Sequence, residues 1–139
     1  MDIFDNHNAA QECSIIIPVY KRYELIRSIL KSISKQIHVE YIKDIIICDS
    51  EIGDDIMKEV IDKCKPLYND NVIKHIFVEN NISAKRNAGI KEAISENIIF
   101  IDDDCIPSRD FIINHVNNIN KTPSILFCGI VDFEINYLN

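Results

Sequence analysis

Three consecutive carboxylates, Asp102-Asp103-Asp104, follow directly on the apolar run Ile98-Ile99-Phe100-Ile101. Neighbouring carboxylates repel one another, so three at the end of a buried strand need something to offset the cost. A hard divalent cation held through oxygen is one answer. Mg2+ and Mn2+ commonly take one or two protein carboxylates and complete their shell from water and phosphate oxygens. A solvated acidic turn, or a helix N-terminus where negative charge is favourable, is the other. A second group is Ser83-Ala84-Lys85-Arg86-Asn87-Ala88-Gly89-Ile90. Lys85 and Arg86 fall in the first turn of an expected helix, where the macrodipole disfavours cations. That conflict points to a bound anion, against the plainer alternative of two solvated side chains on a surface helix.

Short apolar runs alternate with helical periodicity along the chain. Ser14-Ile15-Ile16-Ile17 stops at Pro18 and reads as a first strand. Leu25, Ile26, Ile29, Leu30, Ile33 and Ile37 then recur at helical spacing. Ile45-Ile46-Ile47-Cys48 is a second strand, ended by Asp49. A weaker helix over 54–64 carries Ile56, Val60 and Ile61 on one face, with Asp54-Asp55 at its start. Residues 72–78 predict a third strand. Ser83 predicts an N-cap for a helix through Ser95, in which Ala84 and Ala88 are small enough for close approach to a sheet. Ile98 to Ile101 is a fourth strand, residues 108–119 a further helix, and Ser124 to Val131 a fifth strand. The alternation predicts an α/β fold with a mostly parallel sheet covered on both faces. Ligands bind such sheets beyond the C-terminal ends of the strands. Pro18-Val19-Tyr20, Asp49-Ser50-Glu51, Glu79-Asn80-Asn81 and Asp102-Asp103-Asp104 all fall there.

Four segments are familiar in this order and spacing: Ser14 to Tyr20, Ile45 to Ser50, Ala84 to Ile90 and Phe100 to Asp104. Together they resemble family 2 glycosyltransferases over residues 13–131 of a chain read as one domain, 1–139. The resemblance implies a GT-A (Rossmann-like) fold, a nucleotide-sugar donor, most simply a UDP-sugar, and Mn2+ or Mg2+ as cofactor. It implies that Pro18, Val19 and Tyr20 line the nucleotide site, with Asp49 near the base and Arg86 near the nucleotide. Asp102 to Asp104 match the family's DxD element. By that match Asp104 holds the metal, Asp103 approaches the ribose, and Asp102 belongs to the nucleotide site. The implied activity is metal-dependent, inverting transfer of a sugar to an acceptor hydroxyl, in bacterial polysaccharide or glycoconjugate synthesis. The acceptor class, saccharide, lipid-linked or protein, stays open. The family's general base lies after the fifth strand, in the acceptor half that this chain is expected to lack; Asp132 and Glu134 come late enough, and neither is assigned. A non-catalytic nucleotide-sugar-binding module, or a truncated transferase, is the alternative. Ser50 and Glu51 after Asp49, Asn80-Asn81-Ile82 before the arginine helix and Ser95 before the fourth strand depart from the family pattern.

Composition narrows the remaining classes. With 22 acidic and 15 basic residues the net charge is −7, and no basic stripe is present, so bulk nucleic-acid binding is not expected. The 47% apolar and 27% charged content is that of a globular chain, not a disordered one. Fourteen asparagines accompany only three glycines; few glycines leave few left-handed backbone positions, though asparagine tolerates them. Five cysteines, with no CxxC pair, read as reduced thiols of a cytoplasmic protein, at most peripheral to a membrane's inner face. No transmembrane or signal segment is expected. The four histidines are scattered and read as surface or loop residues, and Lys21 and Arg22 as solvated residues opening the first helix. A receiver-like signalling module would need its acidic pair after the first strand, where Pro18-Val19-Tyr20 stands. Phe127, Ile130, Phe133, Ile135, Tyr137 and Leu138 make the C-terminal region apolar, and self-association there, as a homodimer, is expected.

Overall fold

The computed structural model describes residues 11–50, 52–53 and 55–122. β1 (Cys13–Pro18), β2 (Ile42–Asp49), β3 (Ile73–Phe77) and β4 (Ile98–Phe100) form one sheet in the order β3-β2-β1-β4. All three pairings are parallel. Helices α1 (Tyr23–Ser34), α2 (Asp55–Cys64), α3 (Ile82–Glu92) and α4 (Phe111–Lys121) alternate with the strands or follow them. The expected fifth strand and the apolar C-terminal residues lie outside the described residues.

Ile15, Ile16 and Ile17 stand in register with Ile45, Ile46 and Ile47, and all six are fully buried. Alternation along each strand sends them to opposite faces. Ile15, Ile17, Ile45 and Ile47 join a core with Ile26, Ile29, Leu30 and Ile33 of α1, Met57, Val60 and Ile61 of α2, and Ile112 and Val116 of α4. Ile16, Ile46 and Cys48 form a smaller cluster on the other face, beneath α3. Each fully buried isoleucine contributes about 1.5–3 kcal/mol. The apolar stripe of α2 is Met57, Val60, Ile61 and Cys64, and Ile56, expected inside, is 55% exposed. Ile37 likewise lies outside, beyond the end of α1. The four described cysteines are free thiols; burial pushes Cys13 up to about 12 and Cys48 to about 11.

The chain winds from β1 through α1 and α2 to β3, then crosses back by α3 to place β4 on the other edge of β1. The direction of winding therefore reverses between β1 and β4. In open parallel sheets the crevice outside such a switch point is where ligands bind.

Three local details of α3 differ from expectation. The N-cap of α3 is Asn81, not Ser83: the Asn81 carboxamide oxygen accepts from the Ala84 N–H at 3.0 Å. The helix stops at Glu92 rather than Ser95 because the buried Asp44 carboxylate captures the Ile94 N–H at 3.1 Å. Asp44 also accepts from the Ser14 hydroxyl, and from Lys74 Nζ at 3.1 Å, so one carboxylate ties β1, β2, β3 and the end of α3 together. The close approach of α3 to the sheet comes from Gly89, not from the alanines. A Cβ on Gly89 would lie 2.5 Å from Ile16 Cγ2. At the other side, the buried Gln36 joins α1 to α4, its Oε1 accepting from the Ile112 N–H at 3.0 Å.

Two outcomes test this account by denaturant unfolding. Gly89→Ala should lose about 1–3 kcal/mol by overpacking. Combined with Ile16→Ala it should lose less than the sum of the single changes, because the new methyl fills the space vacated. Asp44→Ala should cost about 3–5 kcal/mol, since Lys74 and the Ile94 N–H lose a buried acceptor.

Candidate functional site

The loop leaving β1 sets one wall of the switch-point crevice. Pro18 ends the strand, and Val19, buried, donates its N–H to Cys48 O at 2.9 Å. Lys21 and Arg22 follow with φ of 64° and 40°, left-handed backbone in two successive non-glycine residues. Such backbone costs about 1–2 kcal/mol per residue and is found where surrounding contacts hold it. It turns the chain sharply into α1. The Tyr20 N–H is left facing β4, where it donates to Asp103 Oδ2 at 3.2 Å. Arg22 Nη1 lies 3.5 Å from Asp103 Oδ1 and 3.3 Å from Asp104 Oδ2. Arg22, expected to be solvated, is thus part of the site.

α3 supplies the other wall. Lys85 and Gly89 are its two buried residues, one turn apart on the sheet-facing stripe. Lys85 Nζ donates to Val19 O at 2.7 Å and to Asn80 Oδ1 at 2.9 Å. The conflict read from sequence is therefore resolved at Lys85 by the protein's own oxygens rather than by an outside anion. Burial lowers the Lys85 pKa, opposed by the nearby charges of Asp49 and Asp103. The amine lies 5.5 Å from the centre of the Tyr20 ring, and Lys21 Nζ 5.2 Å, so two cations hold that half-exposed ring. Arg86, one residue on, stands at the rim. Its Nη2 donates to Asp102 Oδ1 at 3.1 Å and its guanidinium lies 5.7 Å over Phe100.

Asp49 ends β2 fully buried. Its Oδ1 accepts from the Ser50 N–H at 2.7 Å and its Oδ2 meets His75 Nε2 at 2.9 Å. His75, on β3 beside Ile47, was expected at the surface and instead orients the Asp49 carboxylate. A histidine inside a predicted strand, one strand over from an acidic strand end, was the available signal.

The acidic triplet divides into two parts. Asp103 faces Tyr20, as described. Asp102, Asp104 and Cys105 bring one donor atom each to within 4.8 Å of one another. Cys105 Sγ donates to Asp104 Oδ1 at 3.5 Å, and burial raises its pKa. Two exposed carboxylates as hard oxygen donors fit Mg2+ or Mn2+, which leave most of the shell to water and phosphate; the thiol adds nothing that Mg2+ requires. The structure thus gathers Pro18, Val19, Tyr20, Arg86, Asp102, Asp103 and Asp104 at the β1/β4 switch point, and places Asp49 one strand away. A surface cavity along α2, lined by Lys58, Glu59, Asp62 and Lys63, is a solvated helix face laced by Lys58–Asp62 and Glu59–Lys63 pairs and lies apart from this constellation.

The model of Glycosyl transferase family 2 matches residues 14–137. The chain belongs to that family. Its similarity to glycosyltransferase AglE of Haloferax volcanii is 28% identity over 120 residues, 86% of this chain and 39% of that protein. An uncharacterized glycosyltransferase of Rickettsia conorii is 38% identical over 100 residues, 71% of this chain and 16% of that one. Among solved structures, residues 1–349 of TarS from S. aureus superpose with a TM-score of 0.67 at 20% identity, covering 79% of this chain and 32% of that one. TarS has also been solved with UDP, at a TM-score of 0.66 and 21% identity, and with UDP-GlcNAc, at 0.66 and 22%. At these identities the likeness shows the GT-A fold. This family 2 chain spans less than two fifths of the length of each of these relatives.

Lys85 yields a prediction with a sign. Its pKa lies below the ordinary 10.5, so between that lowered value and 10.5 the unfolded chain binds the proton that the folded chain has released. Stability should therefore rise with pH through that window by more than it does in Lys85→Met. The same substitution leaves Val19 O without its donor and should cost about 1–3 kcal/mol at pH 7. Urea unfolding of both proteins from pH 7 to 10 checks this.

Proposed function

We propose that this chain is the donor-binding domain of a glycosyltransferase that takes a UDP-sugar with Mn2+ or Mg2+ and transfers the sugar, with inversion, to an acceptor hydroxyl in polysaccharide or glycoconjugate synthesis, on the cytoplasmic side. The observation that carries the reading is the Tyr20 N–H to Asp103 bond, which brings the Pro18-Val19-Tyr20 loop and the acidic triplet together at the switch point. The complexes of TarS with UDP and UDP-GlcNAc support a uridine nucleotide as the donor's carrier.

In this reading Pro18, Val19 and the Tyr20 ring form the wall for the nucleoside. Asp49, held by His75 and the Ser50 N–H, presents a fixed negative charge on the base side. Asp103, anchored by Tyr20, takes the ribose, and Arg86 lies near the nucleotide. Asp104, with Asp102 beside it, would hold the cation. Bound there, the cation supplies Lewis-acid stabilisation to the departing diphosphate. The protein's own part is to fix these groups before the donor arrives, so that little reorganisation is left for the transfer step.

Calorimetry of UDP with the chain, in millimolar Mn2+ and in EDTA, tests the proposal. Affinity should be higher with Mn2+. Asp104→Asn should lose about 2 kcal/mol or more of the Mn2+-dependent binding, as for a charged contact desolvated in a complex. Asp62→Asn, on the solvated surface of α2 among Lys58 and Lys65, should change it by less than about 0.5 kcal/mol. Equal affinities in Mn2+ and EDTA, or equal effects of the two substitutions, would overturn it.

A further inference from the structure

We propose that Arg22 is a built-in competitor for the divalent cation: its guanidinium holds the outer edge of Asp103 and Asp104, and the cation gains Asp104 only by displacing it. The inference rests on the reading above, in which Asp104 is the metal-holding carboxylate.

One nitrogen, Nη1, spans both carboxylates, at 3.5 Å from Asp103 and 3.3 Å from Asp104. A dication bound by Asp104 would share that edge with the guanidinium's positive charge, which Coulomb repulsion disfavours unless the arginine leaves. The backbone is built to bring Arg22 there. The two left-handed residues, Lys21 and Arg22, cost conformational energy, and Arg22 is the N-cap of α1 without making any side-chain cap bond. Its side chain is turned instead to the acidic edge. Arg86 pairs with Asp102, the carboxylate beside it, and makes no ion pair with Asp104, so the contest for Asp104 itself falls to Arg22.

The charges also constrain the order of events. Asp102, Asp103 and Asp104 carry −3; Arg22 and Arg86 pair with them, and Lys85 lies close enough for its charge to act on Asp103. The edge is thus near neutral with the protein's own cations. A dication alone would leave an excess of positive charge. A diphosphate arriving with it removes that excess and gives the released guanidinium an anion to face. Metal and nucleotide therefore favour one another's binding, and by linkage each raises the other's affinity by the same factor. Arg22 is half-exposed, so its release is cheap, and its effect should have the size of an exposed ion pair.

The test is a titration of the intact chain with Mn2+, free Mn2+ being read by electron paramagnetic resonance, with and without saturating UDP. Without UDP, Arg22→Gln should bind Mn2+ about two- to fivefold more tightly than the parent chain, and Arg22→Lys should fall between. With UDP bound, the parent and Arg22→Gln should coincide. Lys21→Gln removes the same charge from the adjacent residue and should shift Mn2+ affinity by less than half as much. An Arg22→Gln chain no tighter than the parent without UDP, or a Lys21→Gln shift of equal size, overturns the proposal while Asp104-dependent Mn2+ binding still stands. If no chain binds Mn2+ even with UDP, both this proposal and the metal-dependent function fall. Far-ultraviolet circular dichroism and unfolding midpoints of each variant show whether an altered affinity belongs to a folded protein.

Discussion

The contact between Gly89 and Ile16 is the one on which the site depends. With no side chain at Gly89, α3 settles directly onto the central strand, closer than any other residue would allow. Lys85 is four residues earlier on the same stripe, so the contact that draws Gly89 down also carries Lys85 under the Val19 carbonyl. Arg86, rotated by one residue, is left at the rim within reach of Asp102. One close approach thus sets two cations, one buried and one half-exposed, at defined depths in the crevice.

Carboxylates at the ligand edge are held by a small number of partners, and each partner comes from a different element. Asp49 has His75 from β3, Asp102 has Arg86 from α3, and Asp103 and Asp104 share Arg22 from the start of α1. In a chain of net charge −7 this is selective use of cations. The buried members, Asp49 and Lys85, must be hydrogen-bonded to be tolerated at all, which makes them rigid. The exposed members contribute little to stability and remain free to exchange partners. Rigid groups stand nearest the proposed base and loop wall, and exchangeable ones where phosphate and metal would meet.

The two ends of the sheet are used differently. At the end where β2 begins, Asp44, Ser14, Lys74 and the Ile94 N–H form a closed polar knot that fixes where α3 stops. At the opposite end the winding reversal between β1 and β4 separates α1 and α3 onto opposite faces and leaves a gap between them. That division agrees with membership of Glycosyl transferase family 2 and with the GT-A likeness to TarS.

Local pattern was enough to read much of this in advance. The isoleucine runs marked strands, helical spacing marked α1, and strand-end positions marked Pro18-Val19-Tyr20, Asp49 and Asp102-Asp103-Asp104 as neighbours, because period and strand polarity are properties of contiguous residues. The errors were of another kind. Asn81 and not Ser83 caps α3, Gly89 and not Ala84 or Ala88 makes the close approach, Arg22 and His75 meet carboxylates rather than solvent, and Lys85 meets the protein's own oxygens rather than a bound anion. Tyr20 and Asp103 are 83 residues apart, Asp49 and His75 are 26 apart, and Lys85 and Val19 are 66 apart. No periodicity in a single chain encodes such pairs. They arise when the parallel register and the crossing of α3 bring distant segments together, and burial then obliges every polar group caught between them to find a partner.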